Sequence, residues 1–202
     1  MEGSAQRESA KPGDIRFKDL NSDDVLDEQD RTKIGDPWPD FVYGLSLGAT
    51  WKGFDFNVFF QGSQGNDVLN MTLRDFESGT GTMNAREGFL NRAWNGEGST
   101  DKYHRISAEQ GQNSEISDYF VEDGSYLRLK NLQLGYNFCE RLLKIKGISY
   151  LRLYVSAQNL FTLTKYSGLD PEIGSSNATL NGIDQGFYPQ ARTWTVGLNI
   201  KF

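Results

Sequence analysis

In the stretch "FVYGLSLGATWKGFDFNVFFQG", residues 41–62, Phe41, Tyr43, Leu45, Leu47, Ala49 and Trp51 alternate mostly with Gly, Ser and Thr. Phe54, Phe56, Val58 and Phe60 then alternate with Asp55, Asn57 and Gln61. A period of two is the signature of a strand, and Lys52-Gly53 between the halves reads as a two-residue hairpin turn. With those two residues as the loop, Trp51 faces Phe54, Ala49 faces Phe56, Leu47 faces Val58 and Leu45 faces Phe60. Every cross-strand pair on one face is then apolar, while the other face sets Thr50 against Asp55 and Gly48 against Asn57. Whatever this chain folds into must give that apolar face somewhere dry to lie.

Three further stretches repeat the pattern. "YLRLKNLQLGYNF" (126–138) carries Leu132, Leu134, Tyr136 and Phe138 on one face. "YLRLYVSAQNLF" (150–161) carries Leu151, Leu153, Val155 and Ala157, and "RTWTVGLNIKF" (192–202) carries Trp194, Val196, Leu198, Ile200 and Phe202. Each has about ten residues, longer than the usual globular strand. Ten residues at ~3.3 Å, tilted by ~45°, span about 25 Å, the height of the apolar band of an outer-membrane barrel. Helical periodicity is confined to one window, "NDVLNMTLRDFES" (66–78).

The connections alternate in length. Lys52-Gly53 and "CERLLKIKGIS" (139–149) are short, whereas residues 63–124 and 164–189 are long and rich in Gly, Asn, Ser and Asp. Short turns on one side and long loops on the other are expected of an antiparallel transmembrane β-barrel, with the long loops and residues 1–40 extracellular. Trp51, Phe54, Phe138 and Phe202 fall at one rim, and Phe41, Tyr43, Phe60, Tyr126, Phe161 and Trp194 towards the other, as two interfacial girdles would require. The expected fold is all-β: about five barrel strands within residues 41–202, preceded by an extracellular loop at 1–40. A soluble sheet would need a second layer that the sequence does not supply. The competing reading is a secreted, calcium-stabilised β-sandwich that binds carbohydrate.

Composition narrows the function. A net charge of -6 and a pI near 4.9, without a Lys/Arg cluster longer than a pair, argue against nucleic acid and anionic headgroups. One cysteine, Cys139, excludes an internal disulfide framework, and one histidine, His104, excludes His-rich zinc sites; neither is expected to be functional. "MEGSAQRESAKPGD" has no signal-peptide apolar core, and no run reaches the ~18 apolar residues of a membrane helix. A transmembrane barrel escapes that test because its strands alternate.

Three sets of residues could carry chemistry. "DLNSDDVLDEQD" (19–30) offers Asp19, Asn21, Asp23, Asp27 and Asp30 at loop positions one, three, five, nine and twelve, with the Val25 carbonyl at seven. That oxygen density suits calcium, with Asp24 where the sharp turn prefers Gly and Asp30 in place of the bidentate Glu; otherwise it is a solvated acidic loop. Asp170, Glu172 and Asp184 could pair for glycoside hydrolysis, but no spacing specifies a pair, and an enzyme is not expected. Trp94, Tyr103, Phe187 and Tyr188 lie in the long loops, where they would stack on a sugar or pack on their own loop.

"KPGDIRFKDLNSDDVLDEQDRTKIGDPWPDFVYGLSLGATWKGFDFNVFFQGSQGNDVLN", "YFVEDGSYLRLKNLQLGYNF", "LRLYVSAQNLFTLTKYSGLDPEIG" and "FYPQARTWTVGLNIKF" together resemble the C-terminal end of the SusC/RagA family of TonB-linked outer-membrane transporters of Bacteroidetes-type bacteria. Residues 71–117 match least. The resemblance implies the end of a 22-stranded barrel that is filled by a plug, energised through TonB and covered by a SusD-like surface lipoprotein. It implies import of oligosaccharides, or of peptides in the RagA branch. Plug, TonB-contacting segment and most strands are missing, so the chain looks like a C-terminal fragment. The resemblance also implies that Gly197, Ile200 and Phe202 form an insertion signal read by the barrel-assembly machinery.

Overall fold

The computed structural model describes residues 9–77, 84–107, 111–138, 147–174 and 180–202; Cys139 and most of the turn that follows it lie outside them. In chain order the elements are β1 (Phe41–Trp51), β2 (Phe54–Gln64), β3 (Asp67–Asn70), α1 (Met71–Glu77), α2 (Phe89–Arg92), β4 (Val121–Asp123), β5 (Tyr126–Phe138), β6 (Tyr150–Gln158), β7 (Thr162–Thr164), β8 (Ile183–Asp184) and β9 (Thr193–Lys201). Among the described residues no helix is long and apolar enough to cross a membrane.

By its contacts the chain divides into two compact units. One comprises Met1–Asp36, Val68–Val121 and Ile183–Gly186; the other Pro37–Asp67, Glu122–Gly182 and Phe187–Phe202. The second holds an antiparallel sheet in the order β1-β2-β5-β6-β9, with β7 continuing along β5. Strand lengths of 9 to 13 residues match those expected from the alternation.

The β1–β2 hairpin has the register read from the sequence: Trp51 opposite Phe54, Ala49 opposite Phe56, Leu47 opposite Val58 and Leu45 opposite Phe60. Its turn residues, Lys52 at φ 48° and Gly53 at φ 92°, are both left-handed, the geometry that matches the twist of the flanking strands. The apolar row continues through Phe56↔Leu134↔Val155↔Val196 and Tyr136↔Leu153↔Leu198. Leu47, Phe56, Leu134, Leu153 and Leu198 are all exposed, so nothing among the described residues covers this face. Val58 shares it but is only 7 % exposed, a short side chain ringed by Leu47, Leu132, Phe56 and Phe60. A second, small sheet in the order β4-β3-β8 is present, but among the described residues no sheet lies over this face as the competing sandwich would require.

Three sequence expectations need correction. The strand beginning at Tyr150 does not run to Phe161: it ends at Gln158, Asn159 turns left-handed at φ 51°, and the chain resumes as β7 along β5. β5 is not one uninterrupted alternation either, because Phe59 pairs Asn131 while Phe60 pairs Leu129, leaving Lys130 as the extra residue of a bulge. The bulge keeps Leu127 and Leu129 on the same face as Leu132 and Leu134, and it puts Tyr126 opposite Ser63, on the polar face rather than in an apolar girdle. The helical window 66–78 yields helix only from Met71. Asp67–Asn70 is a strand parallel to β8, and the buried Asn70 side chain accepts the Leu73 N–H at 2.9 Å, starting the helix as an N-cap does.

Candidate functional site

The polar face of the large sheet is organised by ions placed over a small residue. Arg152 of β6 reaches across β5 to Asp55 of β2, Nε donating to Oδ2 at 2.9 Å and Nη2 to Oδ1. The strand between them passes beneath at Gly135, where any β-carbon would collide with both side chains. Asn137 donates to the same carboxylate at 3.2 Å and accepts the Tyr150 hydroxyl at 2.6 Å, and the Arg152 guanidinium lies 4.9 Å from the Tyr154 ring centre. Sequence reasoning did not single out these residues, since three separate strands contribute them.

A second node holds the loop after β7. Arg128, 2 % exposed, donates to Thr162 at 2.8 Å, Glu172 at 2.7 Å and Asp170; Lys130, aimed by the bulge, donates to both Glu172 oxygens at 2.6 and 2.8 Å. Backbone N–H groups of Glu172 and Gln190 also donate to Asp170, each at 2.9 Å. Burial alone would raise the Asp170 carboxyl, but the donors from Gln190, Arg128 and Glu172 outweigh it and leave its pKa below the ordinary value. The carboxylates that could have formed a hydrolytic pair are thus committed to cations. Asp184 is elsewhere, in the other unit, 3 % exposed and accepting the Gly186 N–H.

In that other unit the "KPGD" turn is clamped by the loop that the sequence left uncharacterised. Asp14 accepts from Arg105 Nε at 2.6 Å, Asn113 Nδ2 at 2.8 Å and the Lys11 N–H at 2.9 Å; Ile15 exchanges bonds with Asn113 and Gln112, each at 2.7 Å. The acidic loop folds on its own backbone. Asp19 accepts from Ser22 and Asp24, Asp23 from Val25, Asp27 from Gln29, and Asp30 from Leu20 and Asp27. The N–H groups of Asp27 and Leu20 hold the Asp30 pKa below its ordinary value. Asp24, at position six, has φ 62°, the conformation for which that position favours Gly. Among the described residues no three carboxylate, imidazole or thiol groups converge as a metal site, so calcium would have to draw the loop tighter.

Of the four loop aromatics, Trp94 and Tyr103 are half-buried within one unit, while Phe187 and the 92 %-exposed Tyr188 belong to the other. On β9, Gly197 sits under the Tyr154 ring, which a β-carbon there would overlap. Ile200 is on the exposed apolar face, and Phe202, 90 % exposed, follows the last paired residue, Lys201.

Glu77, 2 % exposed at the end of α1, is a buried acid that, among the described residues, accepts from the Tyr119 hydroxyl at 3.0 Å and has a distant cation, Arg86, at 3.9 Å. Burial raises its pKa, against the pull of Tyr119, Arg86, His104 and Arg92. A carboxyl raised in the folded state contributes stability that is complete below the ordinary glutamate range and lost as pH rises through the raised value. Glu77→Gln should therefore slow amide exchange in 71–77 and 111–120 at neutral pH and flatten its pH dependence there, read by exchange mass spectrometry. Identical profiles for both proteins would refute this.

No protein-family model matches the chain. It is 42% identical to TonB-dependent receptor P3 of Formosa agariphila over 95% of its own length and 19% of the relative's. It is 34% identical to TonB-dependent receptor SusC of Bacteroides thetaiotaomicron over 96% of its length and 18% of the relative's. Among solved structures, the RagAB peptide transporter aligns with TM-score 0.69 and 30% identity, covering 82% of this chain and 17% of that one. The chain spans about a fifth of the length of the curated relatives it matches. These relatives are receptors and transporters, and none of the three is an enzyme.

Proposed function

We propose that this chain, a SusC/RagA-type TonB-dependent transporter segment, forms part of the outer-membrane wall of an import path for oligosaccharides or peptides. A SusD-like lipoprotein would cover its outer loops, and TonB would act on a part of the protein beyond these residues. The observation that carries the reading is the uncovered apolar face of five long antiparallel strands, which suits lipid, backed by a polar face laced with ion pairs, which suits a filled barrel interior. The name of one solved neighbour, the RagAB peptide transporter, supports peptides, while oligosaccharides rest on the resemblance to the SusC/RagA family. The test is uptake of labelled oligosaccharides and peptides by cells with and without the full-length receptor, with and without TonB. Uptake of both classes that ignores the receptor would overturn the proposal.

The proposal includes an assembly role for Gly197, Ile200 and Phe202. Removing the Phe202 ring costs only about 1–3 kcal/mol of apolar burial, a small part of a closed barrel's stability, whereas an incoming strand is recognised before that stability exists. Phe202→Ala in the full-length receptor should sharply reduce the amount assembled while leaving the resistance of assembled barrels to denaturant nearly unchanged. Normal outer-membrane levels would remove the signal from the proposal.

Calcium at Asp19, Asn21, Asp23, Val25, Asp27 and Asp30 is a further part, supported by their oxygen spacing and by the left-handed Asp24. Affinity should fall in the ~10⁻⁴ to 10⁻³ M range of extracellular modules. Calorimetry on the full-length receptor should show one site that disappears on joint Asp19→Ala and Asp23→Ala substitution. Heats unchanged by that substitution would leave a solvated loop.

A further inference from the structure

We propose that Tyr154 and Gly197 form a register key, a ring and the notch that receives it, which seats the last strand at one position during barrel assembly. The key presupposes the assembly role given to Gly197 above and supplies the partner through which that glycine acts.

Alternation alone leaves the register of β9 open. A slip of one residue would turn its apolar face to the polar side, but a slip of two would not. Leu153, opposite Leu198, would then meet Val196 or Ile200, and Val155, opposite Val196, would meet Trp194 or Leu198, so every new pair is as apolar as the old. Nor does a tight turn set the pairing as Lys52-Gly53 does for β1 and β2, since β7 and β8 lie between β6 and β9 in the chain.

The polar face removes the ambiguity. Tyr154 stands between two glycines, Gly135 of β5 and Gly197 of β9. Neither is left-handed, so the backbone at both would accept a side chain. Over Gly135 the space is filled by the Asp55 carboxylate and the Arg152 guanidinium, which lies 4.9 Å from the Tyr154 ring centre. The ring therefore leans the other way, and a β-carbon at Gly197 would fall inside it. Gly197 is accordingly the one residue of β9 that is not exposed, its backbone covered by a neighbour's ring in place of a side chain of its own. After a slip of two the ring would meet Thr195 or Asn199 instead, so the notch admits one register and resists both of its neighbours. An ion pair between β2 and β6 thus aims the ring that positions β9. Ile200 and Phe202, in contrast, are exposed, where assembly machinery would read them directly.

The test is disulfide trapping in the full-length receptor, with Cys139 and any further cysteine replaced by serine. Joint Val155→Cys and Val196→Cys reads the native register, and joint Val155→Cys and Leu198→Cys reads the two-residue slip, because only directly opposed β-carbons come within disulfide reach. In the parent the native pair should cross-link several-fold more than the slipped pair, and Gly197→Ala should cut the native cross-link several-fold. Moving the notch, by joint Gly197→Thr and Asn199→Gly, should transfer the cross-link to the slipped pair. Tyr154→Phe should keep the native preference and Tyr154→Ala should blur it, and adding Gly197→Ala to Tyr154→Ala should bring no further loss. If Gly197→Ala fails to reach the membrane, the moved notch and the Tyr154 variants carry the test. A native cross-link undiminished by Gly197→Ala, or a slipped pair that stays silent when the notch is moved, would overturn the key. Phe202→Ala should lower the assembled amount without moving the cross-link; normal assembly of that variant would remove the terminal signal and leave the key standing on its cross-links.

Discussion

Arg128→Met is expected to release the loop that follows β7 and to cost about 3–5 kcal/mol, the penalty for stranding buried carboxylates without their cation. Arg128 is 2 % exposed and Asp170 8 %, so water cannot easily replace the lost charge; Glu172, at 30 %, is partly rescued by solvent and by Lys130. Most of the loss should therefore appear at Asp170. A double substitution, Arg128→Met with Asp170→Asn, removes the stranded charge and should recover part of the cost, whereas Arg128→Met with Glu172→Gln should recover less. Amide exchange of 165–172 and Gln190 in the full-length receptor reads the local effect, and denaturant midpoints read the global one. If exchange there is unchanged in Arg128→Met, the node is decorative and the loop is held by something else.

That node also marks where sequence reading stops. The hairpin register was legible residue by residue because a two-residue turn fixes the pairing and one face is uniformly apolar. The bulge at Lys130 has its own signal in the sequence. In "YLRLKNLQLG" the leucines fall at 127 and 129, then at 132 and 134, so the period of two skips one residue between them. The break at Asn159 has the same signature, Ala157 being followed by Leu160. A phase slip inside an otherwise alternating run means an extra residue in the strand, and here it turns Lys130 towards Glu172.

The polar constellations were less legible for a different reason. Asp55 and Arg152 are 97 positions apart, Asp14 and Arg105 91, so no local spacing can announce them. Gly135 was visible as a glycine in a strand, yet its purpose, clearance for an ion pair between its two neighbours, requires knowing that β2 and β6 flank β5. The aromatic candidates were found by composition, and only the fold separates Trp94 and Tyr103, which share a cavity, from Tyr188, which is almost wholly exposed.

If the exposed apolar face meets lipid, the two faces of one strand must differ sharply in their tolerance of charge. Leu47 lies near the middle of β1, opposite Val58, and Leu198 lies near the middle of β9, opposite Leu153; both are more than half exposed on that face. Leu47→Arg or Leu198→Arg in the full-length barrel should cost about 2–4 kcal/mol near the bilayer midplane. Val58 is a poorer probe, because at 7 % exposure an arginine there would also meet steric resistance from its neighbours. The controls are Asn57→Arg and Asn199→Glu, one residue along the same pair of ladders, whose side chains alternate to the polar face with Gln133 and Arg152; glutamate is used at 199 because an arginine there would oppose Arg152. In refolding into lipid bilayers the leucine variants should lose stability and the asparagine variants should stay near the parent. Equal losses in both sets would mean that both faces are buried against protein, and equal tolerance would mean that neither meets hydrocarbon. Since register fixes every side chain at once, either outcome would displace the membrane assignment of the whole sheet and not of one strand.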